Sequence, residues 1–256
     1  MNTNYQLSVN TGRLAIENGT ANPKWFRPDV DPHNIRNLMQ KSDAIAIRDT
    51  AIWLGMMIVS AGCAVAFWPS VWSVPFWLVY GVLYGSAADS RWHECGHKTA
   101  FKTTWMNNAV YQLASFMIMR NPAIWQASHV RHHTDTIIVG RDPEIVAMRP
   151  PDLARIALAF VGVVDVYIAF KRMILHASGR IDPEEATYVA AKDHAKVFRV
   201  ARIWLFIYGC TIAAAILMTS LLPLMLIGFP RLYGAWHHVL TGLLQHVGLA
   251  ENVSDH

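Results

Sequence analysis

The chain has little charge. Asp, Glu, Lys and Arg supply 16% of its 256 residues, against about 25% in ordinary soluble domains. The shortfall is concentrated, because none of the four occurs from Ala51 to Ala88. A stretch that long without charge excludes a greasy soluble fold and points to a membrane protein. Cysteine is scarce too: Cys63 and Cys210 lie in apolar segments and Cys95 in a histidine-rich run, so no disulfide framework is in view. The polar first forty-odd residues lack the short apolar core of a cleavable leader, which leaves the first membrane helix as insertion signal. Internal repeats, low-complexity stretches and Lys/Arg runs that track a phosphate backbone are missing as well. The net charge of +4 and pI near 9.0 therefore read as the positive cytoplasmic side of an integral protein, with no nucleic-acid partner.

Apolar residues make up 53% of the chain and tryptophans number ten, and Trp collects at membrane interfaces. The pattern predicts one all-α integral membrane domain over residues 1–256, with four transmembrane helices in two hairpins and a cytoplasmic helical cap. Residues 1–50 form a cytoplasmic segment: a loose tail from Met1 to Asn22, then an amphipathic helix that starts at Asp31-Pro32. The first hairpin, 51–88, pairs Ala51–Trp68 with Val71–Ala88 around Pro69-Ser70. Each arm has about 18 residues and spans roughly 27 Å, close to a bilayer core. The cap, 89–199, contains an interfacial helix over Trp105–Met119. A helix lying on the membrane follows over Asp152–His176, and a water-exposed one over Ile181–Arg199. The second hairpin, 203–244, pairs Ile203–Ser220 with Leu221–Leu244, which is kinked at Pro223 and Pro230. Of 22 Lys and Arg, all but Arg231 fall outside the paired spans. The positive-inside rule then puts both termini, 245–256 included, and the cap in the cytoplasm.

The chemistry lies in two histidine clusters, His93-Glu94-Cys95-Gly96-His97 and His129-Val130-Arg131-His132-His133. Residues three or four apart share a helix face, so His93 and His97 can point at one ion, and His129, His132 and His133 at one ion or two. Imidazole suits iron, zinc, copper and nickel. The first cluster is also a literal H-E-x-x-H, the pattern of a zinc metalloprotease with Glu94 as general base. That reading leaves three further histidines without a purpose. Oxygen activation needs a redox metal, which zinc is not, and two ions close together is a common catalytic arrangement. A haem-bearing membrane protein is the other alternative, but paired haem histidines would lie deep in facing spans. His33, His176 and His194 read as surface residues, and His237-His238 as packing within the last span. Glu94, Asp142 and Glu144 are candidates to orient ligand imidazoles, since metal-bound His usually donates its other N–H to a carboxylate.

The run His93–Thr103, the segment Trp125–Thr134, Gly140-Arg141-Asp142-Pro143-Glu144 and the run from Gln245 to Asn252 together resemble the membrane fatty acid desaturase family. The resemblance covers the chain from about Ile35 onward. It implies two non-haem irons held by histidine boxes, with His93 and His97 in the first box and His129, His132 and His133 in the second. Relatives of the acyl-CoA type also carry an Asn and a His four residues apart. Asn252 and His256 match that spacing, so His256 would be a further ligand and Asn252 would hold a water near the metal. His246 would stand behind the ligands. The family's third box, His-x-x-His-His, does not occur after His133, so this polypeptide is expected to be an incomplete or inactive fragment. The implied reaction is oxygen-dependent desaturation of a fatty acyl lipid, with electrons from ferredoxin or cytochrome b5. A hydroxylase of the same superfamily is the neighbouring alternative.

Overall fold

The computed structural model describes residues 5–21, 28–145, 150–246 and 248–253, without the side chains of Gln245 and His246. Among them the regular structure is helical throughout. The amino-terminal segment is not a loose tail where it is described. Helix α1 runs Val9–Glu17, and its start is closed by a capping box between Ser8 and Thr11, which satisfies two orphan amides at once. Helix α2, Pro32–Leu38, begins as expected, with Asp31 capping and Pro at its first position.

Helix α3, Asp43–Ala66, starts eight residues before the predicted first span. Asp43 is held by the N–H and hydroxyl of Thr103 at 2.9 and 2.7 Å, and that tie extends the helix. The chain turns at Pro69-Ser70 and returns as α4, Val74–Gly85, and α5, Ala87–Gly96. Trp53 sews this hairpin by donating from its indole N–H to Leu83 O at 2.9 Å. The helical run Val71–Gly96 is long and apolar enough to cross a membrane. Its last turn holds His93, and His97 caps it.

Helix α6, Thr104–Met117, and helix α7, Pro122–Thr134, follow. The single surface helix expected over Asp152–His176 is instead two, α8, Leu153–Phe160, and α9, Val163–Ala177, bent by 83°. Gly162 makes the corner at φ +64°, and a Cβ there would stand 2.3 Å from Arg231 O, so only glycine fits. The helix expected over Ile181–Arg199 is also absent. Two short 3-10 turns lead into α10, His194–Leu217. Glu185 pulls this stretch inward, since it is 1% exposed and 2.6 Å from His176 Nε2. His176 is thus a buried partner, not the surface residue expected.

The predicted fourth span is broken. Helix α11, Leu222–Leu226, ends before Gly228 at φ +105°, and α12, Pro230–His246, starts afresh. Three helices are long and apolar enough to cross a membrane, Asp43–Ala66, Val71–Gly96 and Ala191–Leu217, and the bent α8–α9 pair makes up to four. Helix α12 packs along α4, where Gly81 and Gly234 meet so closely that a Cβ on Gly234 would lie 2.0 Å from Gly81 O. Arg231 is buried at this seam and donates to Gly85 O, which answers the cost of a charge in an apolar segment. Ile58 and Phe206, 69% and 73% exposed, typify the outward apolar faces of α3 and α10, which a bilayer would cover.

Candidate metal centre

Each histidine cluster occupies the end of a helix. His93 lies in the last turn of α5 and His97 is its C-cap. His129, His132 and His133 lie in the last two turns of α7. Helix α7 is fixed at its start by Asn121, whose side chain accepts from Ala123 N at 3.1 Å and donates to Val197 O of α10 at 3.1 Å. Tyr111 donates to Pro122 O at 2.6 Å. The helix ends are brought together by Gly96 and Trp125. A Cβ on Gly96 would stand 2.1 Å from Trp125 Cζ3, so the indole lies directly on the α5 backbone. The indole also stacks on His129, with centroids 4.3 Å apart and planes at 22°.

Four imidazoles then converge. His93, His97, His129 and His133 each offer a nitrogen, and the four lie within 4.8 Å of one another. The Nε2 atoms of His97 and His129 are 2.9 Å apart, those of His133 and His129 3.0 Å, and those of His133 and His97 3.3 Å. Donors about 2.1 Å from one ion would be about 3.0 Å apart at right angles and about 3.4 Å apart at a tetrahedral angle. The three separations fit that range, so these residues suit a shared metal ion. Two histidines of the first cluster and two of the second contribute, which is more than a two-histidine H-E-x-x-H site supplies.

The protons are arranged for this. Glu144 Oε2 is 2.8 Å from His129 Nδ1, and its other oxygen accepts from Ser128 Oγ at 2.7 Å. Burial would raise the Glu144 carboxyl, but the bonds from His129 and Ser128 outweigh it and hold the group below its ordinary value. An ionised carboxylate only accepts, so His129 donates from Nδ1 and turns the lone pair of Nε2 toward His97 and His133. Burial, then the neighbouring His129, lowers both His97 and His133, which favours the neutral form that binds metal. His129 is buried, His93 half-buried, and His97 and His133 are exposed, leaving the centre open on one side.

The remaining candidates are placed differently. His132 lies outside the group of four. Its Nδ1 is 2.9 Å from Asp142 Oδ2; burial is the largest single effect and lowers its pKa, but the bond to Asp142 and the charges of Asp142 and Glu144 together raise it. A metal on His132 would have to take Nε2. Glu94 accepts from Thr99 Oγ1 at 2.8 Å and is 3.8 Å from His93 Nδ1. Asn252 meets the 137–139 stretch, accepting from Val139 N at 2.9 Å and donating to Ile137 O at 3.1 Å. His246 closes α12 with its side chain undescribed, and His256 lies outside the described residues. His237 is 2.6 Å from Ser86 Oγ and His238 3.4 Å from Asp89, both in helix packing. Gly96 shapes the candidate centre in a way that spacing alone did not reveal, since a glycine between histidines carries no chemistry of its own.

A cavity of about 520 Å³ flanks the centre, reached by Trp125, Ser128 and Glu144. Met119, Met173 and Trp204 line it alongside Arg120, Asp165 and Arg231, so its wall is mixed rather than wholly apolar.

The fatty acid desaturase family model matches residues 66–256, and the chain belongs to that family. It is 30% identical over 126 residues to a bifunctional fatty acid conjugase/Delta(12)-oleate desaturase of Punica granatum, covering 47% of this chain and 31% of that protein. It is 32% identical over 85 residues to an omega-6 fatty acid desaturase, endoplasmic reticulum isozyme 1, of Glycine max, covering 32% of this chain and 22% of that protein. A Delta(12)-acyl-lipid-desaturase of Punica granatum is 25% identical over 124 residues, 47% of this chain and 32% of that protein. The chain thus spans a third or less of the length of these relatives. No solved structure matches it.

Proposed function

We propose that the protein acts as an oxygen-dependent fatty acyl desaturase, multi-pass in the membrane, with its centre on the cytoplasmic side. The observation that carries this reading is the meeting of His97, His129 and His133 through Nε2 at 2.9 to 3.3 Å, with His93 beside them. Family membership makes iron the natural ion and a fatty acyl lipid the substrate. Bound iron would supply the redox chemistry with O2, and the electrons would come from a ferredoxin or a cytochrome b5. His93, His97, His129 and His133 would hold one ion. His132, with His256, would serve a second. Glu144 and Asp142 fix the proton on Nδ1 of His129 and His132, which leaves the Nε2 lone pair of each ring available to a metal. Trp125 holds the plane of His129. Glu94, Asn252 and His246 would stand behind the ligands.

The test is His97→Ala in the full-length protein. Unsaturated product should vanish and iron per chain should fall, while the protein stays in the membrane fraction. Normal product and normal iron from that variant would rule this centre out.

A further inference from the structure

Behind the histidines lies one loop, residues 135–145, and it supplies both carboxylates that orient them. Asp142, 3% exposed, takes His132 Nδ1 and also accepts from Ile137 N at 2.7 Å, Glu144 N at 2.8 Å and Ile145 N at 3.1 Å. That places Glu144 in line with His129. Asp135, at the loop's start, is bonded by Arg141 Nε at 2.8 Å. The loop has little regular structure of its own and turns through Ile137 at φ +56° and Gly140 at φ +77°. A loop in such conformations needs outside support.

The support comes from two distant parts of the chain. Asn252 bonds Ile137 and Val139 on one side. On the other, α1 sits on the loop. A Cβ at Gly140 would stand 2.6 Å from Thr11 Cβ, and Gly12 lies over Gly140 O. Thr11 and Ala15 are the buried residues of α1, while Leu14 and Ile16 point outward. Tyr5 joins the two supports, donating to Glu251 at 3.1 Å. We propose that α1 is a clip whose seat on Gly140 holds the carboxylate loop, making Thr11 and Gly140 positioning residues for a metal centre whose histidines lie about 80 to 120 residues from α1 in sequence.

The inference rests on the metal-centre reading for its purpose, and two readouts separate their failures. The full-length protein, freed of metal, is titrated with Co²⁺ and followed by visible absorption. Backbone hydrogen exchange is measured at Ile137, Val139, Glu144 and Ile145. Thr11→Trp, too large for the seat, and deletion of residues 1–21 should weaken Co²⁺ about 10-fold or more, the effect of losing an outer-shell partner. They should also speed exchange at the four amides at least 10-fold, with helical circular dichroism otherwise retained. Thr11→Ser, which keeps the capping box, and Leu14→Trp, on the outward face, should match the parent. Unchanged exchange in Thr11→Trp and in the deletion overturns the clip, whatever the metal does. Faster exchange with unchanged Co²⁺ affinity overturns its link to the centre. A parent protein that binds no Co²⁺ overturns the metal-centre reading, and with it the clip's role there.

Discussion

The junction between Gly96 and Trp125 gives the sharpest prediction. Gly96 is the last residue of α5 and has helical backbone angles, so helix propensity alone would favour alanine there by about 0.5–1 kcal/mol. The tertiary contact says the opposite. A new Cβ would stand 2.1 Å from Trp125 Cζ3 and 2.7 Å from Cη2, whereas carbon pairs rest at about 3.5–4.0 Å. The indole must retreat by roughly 1.5 Å, and overpacking of this kind costs about 1–3 kcal/mol. Collision therefore exceeds propensity, and Gly96→Ala should lower the melting temperature in detergent. The larger consequence is at the centre. Trp125 stacks on His129, whose Nε2 is 2.9 Å from that of His97, so an ångström-scale shift of the ring opens an imidazole pair that a shared ion would hold near 3 Å. Metal affinity should fall about 10–100-fold, as when an outer-shell support is removed. Metal per chain and product from full-length Gly96→Ala measure this, with Gly96→Ala/Trp125→Phe as the check, since a smaller ring should restore part of the metal. A Gly96→Ala protein that melts higher and keeps full metal would refute the reasoning.

Three further outcomes are expected. Glu144→Gln should reduce metal affinity about 10-fold or more, read by Co²⁺ titration. Because the folded carboxyl of Glu144 is held below its ordinary value, its stabilising effect is present above the unfolded pKa and is lost as pH falls through the folded one. Acid unfolding of Glu144→Gln should therefore lose the part of the pH dependence that lies below the ordinary carboxylate range, and an unchanged acid profile would contradict the assignment. Gly234→Ala should destabilise the seam of α4 and α12 by about 1–3 kcal/mol, because the atom facing the new carbon is backbone, Gly81 O at 2.0 Å. Equal denaturation midpoints would count against that packing. His176→Leu removes the shortest partner of the buried Glu185 carboxylate, at 2.6 Å, and leaves it, among the described residues, only Arg172 at 3.6 Å; it should cost about 1–3 kcal/mol, whereas the double change His176→Leu/Glu185→Leu should recover most of it in the same melt.

What could be read from sequence follows from range. The arms around Pro69-Ser70 were legible because the absence of charge and the turn residues are local properties. The break before α12 showed only as a kink at Pro230, and the corner between α8 and α9 did not show at all. Gly228 and Gly162 are unremarkable letters until Arg231 O is known to pass within 2.3 Å of where a Gly162 side chain would begin. Hydropathy joined Leu221 to Leu244 because it averages over the very residues, 227 to 229, at which the chain turns. Helix α1 escaped notice for a related reason: two buried residues, Thr11 and Ala15, give no period to detect, and its capping box uses Thr where Glu or Gln is the usual signal.

The centre divides along the same line. Imidazoles announce themselves, and a spacing of three or four residues places them on one helix face, so membership of the two clusters was visible. Which four converge was not. His132 and His133 are adjacent in sequence, yet the helix turns them about 100° apart, and Asp142 claims the Nδ1 of one while the other faces His97. Periodicity alone cannot make that choice, since it depends on where the 135–145 loop lays its carboxylates. The same loop is held by residues from both ends of the described chain, Thr11 and Asn252. Membership of the clusters is thus written locally, whereas ring orientation rests on carboxylates of a loop that Thr11 and Asn252 contact from distant parts of the described chain. Substitutions at Thr11 or Gly140 should accordingly alter metal affinity without touching a single metal ligand.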